Sequence, residues 1–281
     1  MKLLTFDIED WFHILNLPLV ESPEAWSNYE PRIHQGTERI LKLLKRTNQT
    51  ATFFVLGWIA DKYPEVVKSI VEDGHEVGSH SYHHQLVYKQ SAFEFEEDLI
   101  RSLEALRKVT KKDVTMYRAP GFSITRETPW AIEILMRNGI EIDCSLFGAV
   151  RSHGGIPNFD FNGPIQIEHN NQKLKALPMS IANVCGVSFC YSGGGYFRLL
   201  PSAIISQFVQ RSEYVMTYFH PRDFDPEQPK LPMSRPRSFK SYVGIKGAMQ
   251  KLEKLLYANQ FTSIQSGIRN LDWNSTPTVI L

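Results

Sequence analysis

The chain has 281 residues, 42% of them hydrophobic, which is enough for a large buried core. Its 31 Lys and Arg residues nearly balance its 30 Asp and Glu residues, and the formal net charge of +1 gives no electrostatic reason to expect nucleic acid or an acidic membrane surface as a partner. The three cysteines, Cys144, Cys185 and Cys190, form no CxxC pair, so neither a disulfide framework nor a thiolate zinc site is predicted.

The amino terminus gives no sign of an export signal or a membrane anchor. It reads MKLLTFDIEDWF, in which acidic residues follow after only a few apolar ones, unlike the apolar region of a signal peptide. No apolar run in the sequence approaches the roughly 20 residues of a membrane-spanning helix. We therefore expect a cytoplasmic protein without a transmembrane segment.

Short apolar runs alternate with longer amphipathic segments along most of the chain. The runs predict strands at 3–6, 50–57, 75–80, 114–119, 140–145 and 213–220. The amphipathic segments predict helices at 36–46, 60–74, 91–110, 129–139, 201–211 and 245–260. This alternation is typical of a parallel sheet wrapped by helices, and we expect an α/β fold, a distorted TIM-like (β/α) barrel with about seven parallel strands.

The strand and helix pattern indicates one domain over residues 1–281. Between 144 and 200 the alternation is interrupted by the turn signals HGG, NGP, NNQ and SGGG, which predict an irregular segment at the rim of the barrel. Residues 221–281 begin with a proline-rich loop and continue into a helix, and they are interpreted as a C-terminal extension.

Ionisable residues follow the predicted strands. Because the working residues of a parallel barrel come from the carboxyl ends of its strands, these positions are the candidates for a functional site. The candidates at the strand ends are Asp7, Glu9, Asp10, His80, Arg118, Asp143 and His220.

Four histidines fall within the segment GHEVGSHSYHHQ at 74–85. His80 and His84 are four residues apart, and a helical turn after the strand would place them on one face, as two ligands of one metal ion require. A carboxylate from the first strand end would complete a site with open positions for water and substrate. His75 and His83 are interpreted as scaffold, since neither shares that face.

Asp7, Glu9 and Asp10 share the first strand end, and buried carboxylates are rare unless they are paired or bind a metal. One of them could be a metal ligand and another the base that deprotonates a metal-bound water. Arg118 could hold one of these carboxylates in a bidentate pair.

These segments resemble the five motifs of the polysaccharide deacetylases, also known as the NodB-homology domain or carbohydrate esterase family four. The motifs occur in order as TFDIED, HSYHH, RAPGF, the IDCS segment and YFHP, and the resemblance covers about residues 2–222. The later segment SGGGYFRLLP at 192–201 is similar to the branch found with exopolysaccharide and surface-glycan loci.

The resemblance implies a role for each matched position. Asp7 would be the general base, and Arg118 would orient it. His80 and His84 would bind the metal together with a carboxylate from the first motif. Asp143 would lie near His220, the general acid that protonates the leaving amine.

The chain departs from the family pattern in the first and fourth motifs. The family has two adjacent aspartates in the first, whereas this chain has Asp7-Ile8-Glu9-Asp10, so either Glu9 or Asp10 could be the carboxylate ligand, and we prefer Asp10. The fourth motif lacks the usual tryptophan, and the resemblance implies that the missing hydrophobic wall comes from elsewhere, with Trp11 or Phe147 as candidates.

The resemblance implies a metal-dependent hydrolase that removes an N-acetyl group from an amino sugar of a surface-glycan or exopolysaccharide precursor. Two histidines and a carboxylate suit Zn²⁺, and Co²⁺, Ni²⁺ and Fe²⁺ accept the same ligands. The alternatives are a hydrolase of another non-peptide C–N bond, such as a formamide or a cyclic amide, and a glycan-binding relative without turnover.

Overall fold

The computed structural model describes residues 1–149, 153–157, 159, 161–184 and 186–281; Cys185 and parts of the predicted rim segment lie outside them. The strands in these residues are β1 (Lys2–Leu3), β2 (Thr5–Ile8), β3 (Thr52–Val55), β4 (Glu76–Ser79), β5 (Met116–Tyr117), β6 (Ile142–Asp143), β7 (Ile165–His169), β8 (Gln172–Ala176), β9 (Ala182–Val184), β10 (Val187–Phe189), β11 (Val215–Met216) and β12 (Thr278–Ile280).

The α-helices in the same residues are α1 (Pro23–Trp26), α2 (Ile33–Thr47), α3 (Gly57–Lys62), α4 (Pro64–Glu72), α5 (Ala92–Thr110), α6 (Trp130–Arg137), α7 (Gly194–Leu199), α8 (Ser202–Arg211), α9 (Arg235–Tyr242), α10 (Ile245–Ala258) and α11 (Ile264–Ile268). Short 3₁₀ turns lie at Pro18–Val20, Val87–Lys89, Pro120–Phe122, Pro221–Phe224 and Trp273–Ser275. None of the helices in the described ranges has both the length and the apolar composition needed to cross a bilayer.

Parallel strands form the wall of a barrel. β2, β3, β4, β5 and β6 are consecutive parallel neighbours, and β8 adds to β6 in parallel. On the other side β11 pairs in parallel with β1, which continues into β2 after one residue. If β1 and β2 are counted as one interrupted strand, the wall contains seven parallel strands. The predicted distorted barrel is confirmed.

The barrel is distorted because its last gap is closed by side chains. In the described residues no backbone ladder joins β8 to β11. Instead, the Ser180 hydroxyl accepts a hydrogen bond from Met216 N at 2.7 Å, and the Tyr214 hydroxyl donates to the Pro178 carbonyl at 2.7 Å. All four residues are buried or come from buried segments, so these bonds replace the missing ladder.

Two sequence-based expectations about local structure are wrong. The helix predicted at 60–74 is two helices, α3 and α4, because Pro64 begins a new helix and Tyr63 before it takes a non-helical conformation (φ −134°, ψ 58°). The rim segment is more regular than predicted, since it contains the antiparallel hairpins β7–β8 and β9–β10. The single-domain organisation stays a prediction, although β12 pairs with β7 and brings the end of the chain back to the sheet.

The strand order brings the predicted candidates to one end of the barrel. Residues of β2, β3 and β4 are almost entirely buried, as expected for strands covered on both faces. The Phe6 ring packs between Phe53 and Phe219, with ring centroids 5.1 and 5.9 Å away, which fixes β2 between its neighbours. The residues that directly follow these parallel strands therefore lie at the same rim of the barrel, the one at the carboxyl ends of the strands.

Candidate metal centre and catalytic cleft

Glu9, His80 and His84 form a buried cluster at this rim. The Glu9 Oε1 atom lies 3.0 Å from His80 Nε2 and 3.0 Å from His84 Nε2. The three residues are 6%, 1% and 6% exposed. The carboxylate of Glu9, which follows β2, and the imidazoles of His80 and His84, which follow β4, thus come together at one point.

The loop between His80 and His84 is not the predicted helical turn. Ser81 and His84 adopt left-handed conformations, with φ of 65° and 55°. The Asp98 carboxylate on α5 holds the loop by accepting the backbone N–H groups of Tyr82 at 2.7 Å and His83 at 2.9 Å. The two histidines therefore converge through a tight loop held by a helix, and their spacing of four residues reflects that loop.

The protonation pattern of the cluster fits a bound cation. His80 Nδ1 donates to the Arg118 carbonyl at 2.7 Å, so in the neutral ring Nε2 keeps its lone pair and faces Glu9. His84 Nε2 is buried and makes no hydrogen bond with any residue that the structure describes. Lone pairs that face each other at 3.0 Å repel unless a proton or a cation lies between them.

The spacing of the donor atoms suits a divalent metal. Two donors that are each about 2.1 Å from Zn²⁺ lie about 3.0 Å apart at a right angle and about 3.4 Å apart at the tetrahedral angle. Burial alone would raise the pKa of Glu9, but the imidazoles around it, those of His84, His220 and His80, outweigh burial and hold it well below its usual range. Glu9 therefore stays an anion, as a ligand must.

Asp10 does not join this cluster, which corrects the preference for Asp10 as the carboxylate ligand. Its Oδ2 accepts the backbone N–H groups of Arg32 at 2.9 Å and Ile33 at 3.1 Å, and its Oδ1 accepts Trp11 N at 2.8 Å. The residue caps the start of α2, and burial raises its pKa to about 6. Alternation along the chain points Asp7 and Glu9 to the cleft and leaves Asp10 on the other side.

Asp7 and Arg118 form a fully buried ion pair beside the cluster. Arg118 Nη1 lies 2.6 Å from Asp7 Oδ1, and it also donates to the Thr5 hydroxyl at 2.9 Å. The predicted bidentate pair is absent, because the remaining guanidinium nitrogens face the Cys144 carbonyl and the Met216 sulfur. Asp7 Oδ2 is left to face the cleft.

His220 lies beside the cluster, close to both Asp7 and Glu9. Its Nε2 is 4.0 Å from Asp7 Oδ2 and 3.7 Å from Glu9 Oε1. Its Nδ1 is 3.0 Å from Asp223 Oδ2, and Asp223 Oδ1 is 3.0 Å from Arg198 Nε. Burial lowers the pKa of His220, but the charges of Glu9, Asp223 and Asp7 outweigh this and raise it above its ordinary value.

Asp223 takes the place that the sequence prediction gave to Asp143. Asp143 is buried and bonds Ser145, with Oδ1 accepting the hydroxyl at 2.5 Å and Oδ2 accepting the backbone N–H at 3.1 Å. Burial raises its pKa to about 6. It does not line the cleft, and His220 Nδ1 is held by Asp223 instead. Asp223 was missed, although its spacing of three residues from His220 on a turn was a signal that could have identified it.

A cleft of about 540 Å³ opens over the cluster. Phe122 and Tyr218, whose rings meet edge to face at 5.1 Å, form its apolar side. Trp11 and Phe147, the predicted wall residues, do not line it. Trp11 is buried and donates from Nε1 to the Glu30 carbonyl, and Phe147 supports Phe122 from behind at 5.4 Å.

His75 and His83 stay outside the cluster. His75 packs on Phe53, and His83 Nδ1 lies 3.1 Å from Asp98 Oδ1. His13, which the sequence reasoning missed, lines the cleft; its Nδ1 accepts Asp10 N at 3.0 Å, so its neutral ring carries the proton on Nε2. Burial holds the pKa of His13 well below its ordinary value.

The chain is similar in sequence to known deacetylases. A family model described as polysaccharide deacetylase matches residues 4–140, and a domain of unknown function, DUF3473, matches residues 144–269. A peptidoglycan deacetylase from Helicobacter pylori is 36% identical over 111 residues, which cover 40% of this chain and 37% of the relative. A peptidoglycan-N-acetylglucosamine deacetylase from Bacillus cereus is 36% identical over 98 residues, covering 34% of this chain and 36% of the relative.

A solved structure extends the likeness over nearly the whole fold. A crystal structure from Mycobacterium smegmatis, described as a candidate polysaccharide deacetylase, superposes with a TM-score of 0.64 at 21% identity, covering 95% of this chain and 87% of that one. The range matched by the family model includes Glu9, His80, His84 and Arg118. Residues 4–140 of the chain, just under half of it, match the polysaccharide deacetylase family.

Proposed function

We propose that the protein is a metal-dependent hydrolase that removes the N-acetyl group from an amino sugar of a glycan. One observation carries the proposal: two groups suited to proton transfer, Asp7 and His220, lie beside the buried ligand set Glu9, His80 and His84. His220 Nε2 is 4.0 Å from Asp7 Oδ2 and 3.7 Å from Glu9 Oε1. A pure binding site needs neither a base nor an acid at such a point.

A divalent metal held by Glu9, His80 and His84 would polarise the acetamide carbonyl and lower the pKa of a water molecule. Asp7 would accept the proton of the attacking water, and Arg118 fixes the Asp7 carboxylate for this task. His220 would donate its proton to the departing amine. Water adds to the carbonyl carbon, the C–N bond breaks, and acetate and a free amino sugar leave.

The positions of Arg118 and Asp223 prepare these two roles. Arg118 occupies Asp7 Oδ1 and leaves Oδ2 toward the cleft. Asp223 occupies His220 Nδ1 and leaves Nε2 as the nitrogen that faces the cluster. Because a general acid must carry its proton before the reaction, the raised pKa of the His220 imidazole favours the protonated form that this role requires.

We propose zinc as the metal and an N-acetylated precursor of a surface glycan or exopolysaccharide, processed in the cytoplasm, as the substrate. Two imidazoles and one carboxylate are a common zinc set, and Co²⁺, Ni²⁺ or Fe²⁺ would bind the same ligands. The relatives named as peptidoglycan deacetylases support an N-acetylated glycan as the substrate class. The resemblance of the segment at 192–201 to the surface-glycan branch supports the narrower choice.

Acetate release from N-acetylglucosamine oligomers by the zinc-loaded protein tests the proposal. Asp7→Asn and His220→Gln should each lower turnover by about 100-fold or more, with zinc content unchanged. His83→Gln is a matched control because His83 lies outside the cluster. Unchanged turnover in either of the first two variants would overturn the assignment. Formate release from an N-formyl amino sugar, with no acetate release from the N-acetylglucosamine oligomers, would favour another C–N hydrolase.

A further inference from the structure

The carboxylates at the floor of the cleft all have partners. Asp7 pairs with Arg118, and Asp223 pairs with Arg198 and His220. Glu9 faces the two histidines of the cluster. Arg198 is fully used, because its other nitrogens donate to the carbonyls of α9 and of the residue that follows it. Among the described residues, none of these three carboxylates pairs directly with a further arginine or lysine.

The wall of the cleft nevertheless carries three more cations from the C-terminal part of the chain: Arg222, Arg237 and Lys240. Arg237 is occupied, since its guanidinium donates to the carbonyls of Asn16 and Leu15. Arg222 and Lys240 form no side-chain hydrogen bond or ion pair with the part of the chain that the structure describes. Arg222 and Lys240 thus face the cleft without a direct partner, although the charges of Asp223 and Glu9 act on Arg222 through space.

Arg222 is unlike an ordinary surface arginine. It is half-buried on the 3₁₀ turn Pro221–Phe224, and burial lowers the pKa of its guanidinium below the ordinary value. Withdrawing a guanidinium from water without an acceptor is unfavourable. An arginine held in this way beside a cleft is a ready-made partner for a carboxylate or a phosphate.

We propose that Arg222 and Lys240 form a subsite for an anionic group, a carboxylate or a phosphate, on the amine-bearing part of the substrate. This inference rests on the proposed function for its orientation: Arg222 follows His220 by two residues on the same turn, and His220 faces the departing amine. The acetyl group leaves on the other side of the broken bond. The substrate is therefore an N-acetyl amino sugar that carries a negative charge, either a sugar acid or a phosphate-linked sugar.

Calorimetric binding to the zinc-loaded Asp7→Asn variant tests the subsite apart from turnover, because this variant should keep its zinc and release acetate about 100-fold more slowly. The probes are N-acetylglucosamine 1-phosphate, N-acetylmuramic acid and the neutral methyl glycoside of N-acetylglucosamine. We expect the protein to bind at least one of the charged sugars about 10- to 100-fold more tightly than the neutral one. Arg222→Gln and Lys240→Gln should each reduce this preference. Arg235→Gln, an exposed cation on α9 that does not line the cleft, is the matched control and should leave the preference unchanged.

Each outcome of the binding measurement supports or overturns the subsite, or separates it from the proposed function. Preference for the phosphate alone indicates a phosphate-linked sugar, and preference for the carboxylate alone indicates a sugar acid. Equal binding of all three probes, or a preference that survives in both variants, would overturn the subsite. If the charged sugars bind through Arg222 but the unsubstituted zinc-loaded protein releases no acetate from any probe, the proposed function fails while the subsite stands. If Arg222→Gln does not fold, the exposed Lys240 variant still tests the charge preference.

Discussion

Substitutions of Glu9 and of Asp10, made one at a time, distinguish a metal ligand from a carboxylate with a structural role. Glu9→Gln keeps the shape of the side chain but replaces the anion that faces His80 and His84 by a neutral amide. Asp10→Ala removes the acceptor of three backbone N–H groups at the start of α2 and in the loop before it. The two variants should therefore fail in different ways.

The structure sets the size of each effect. Loss of a residue that only supports a metal ligand costs about 10- to 100-fold in affinity, so loss of the Glu9 carboxylate should lower zinc affinity by about 100-fold or more. Asp10→Ala leaves three N–H groups without an acceptor, those of Trp11 and Ile33 buried and that of Arg32 part-buried. At about 1 kcal/mol each, the free energy of unfolding should fall by about 3 kcal/mol. Its zinc affinity should stay within about threefold of the wild type.

Zinc titration in competition with a chromophoric chelator measures the first quantity, and urea denaturation of the metal-free protein measures the second. Asp10→Asn serves as a control, because its amide oxygen can still accept from Arg32 and Ile33. Tight zinc binding by Glu9→Gln together with loss of zinc in the Asp10 variants would refute the assignment of Glu9 and restore Asp10 as the ligand.

Three further predictions follow from buried contacts. Arg118→Met leaves the Asp7 carboxylate unpaired and should lower the free energy of unfolding by about 3–5 kcal/mol in urea denaturation; equal stability would contradict the buried pair. Asp223→Asn removes a charge that raises the pKa of His220, so the alkaline limb of the pH–rate profile, where His220 loses its proton, should move to lower pH, and an unmoved limb would exclude this coupling. Ser180→Ala removes the acceptor of Met216 N and should cost about 1–3 kcal/mol in the same denaturation assay, whereas no loss would mean that the gap between β8 and β11 needs no bridge.

The sequence predicted those site residues whose position follows from the strands alone. His80, Arg118 and His220 each come directly after an apolar run, and parallel strands carry such residues to one rim. The alternation of strands and helices was sufficient for the barrel as well. The barrel could be predicted because buried strands and helices leave a hydrophobic pattern that is visible within short segments of the sequence.

The failures involve contacts between residues distant in sequence. Asp10 is drawn to N–H groups of Arg32 and Ile33, more than 20 residues away, and nothing within TFDIED reveals them. The loop at 80–84 is shaped by Asp98 on α5, so a helical spacing rule did not apply. Asp143 was placed by resemblance, whereas the buried pair with Ser145 turns it away from the cleft.

Reconstitution of activity with zinc tests the central claim most directly. The protein is stripped of metal with a chelator, zinc is added back in steps, and acetate release from an N-acetylated amino sugar substrate is measured at each step. We expect activity to rise linearly with added zinc and to stop rising at about one zinc per chain. In His84→Ala we expect no rise. Acetate release that is independent of added metal, or a full response in His84→Ala, would contradict the account.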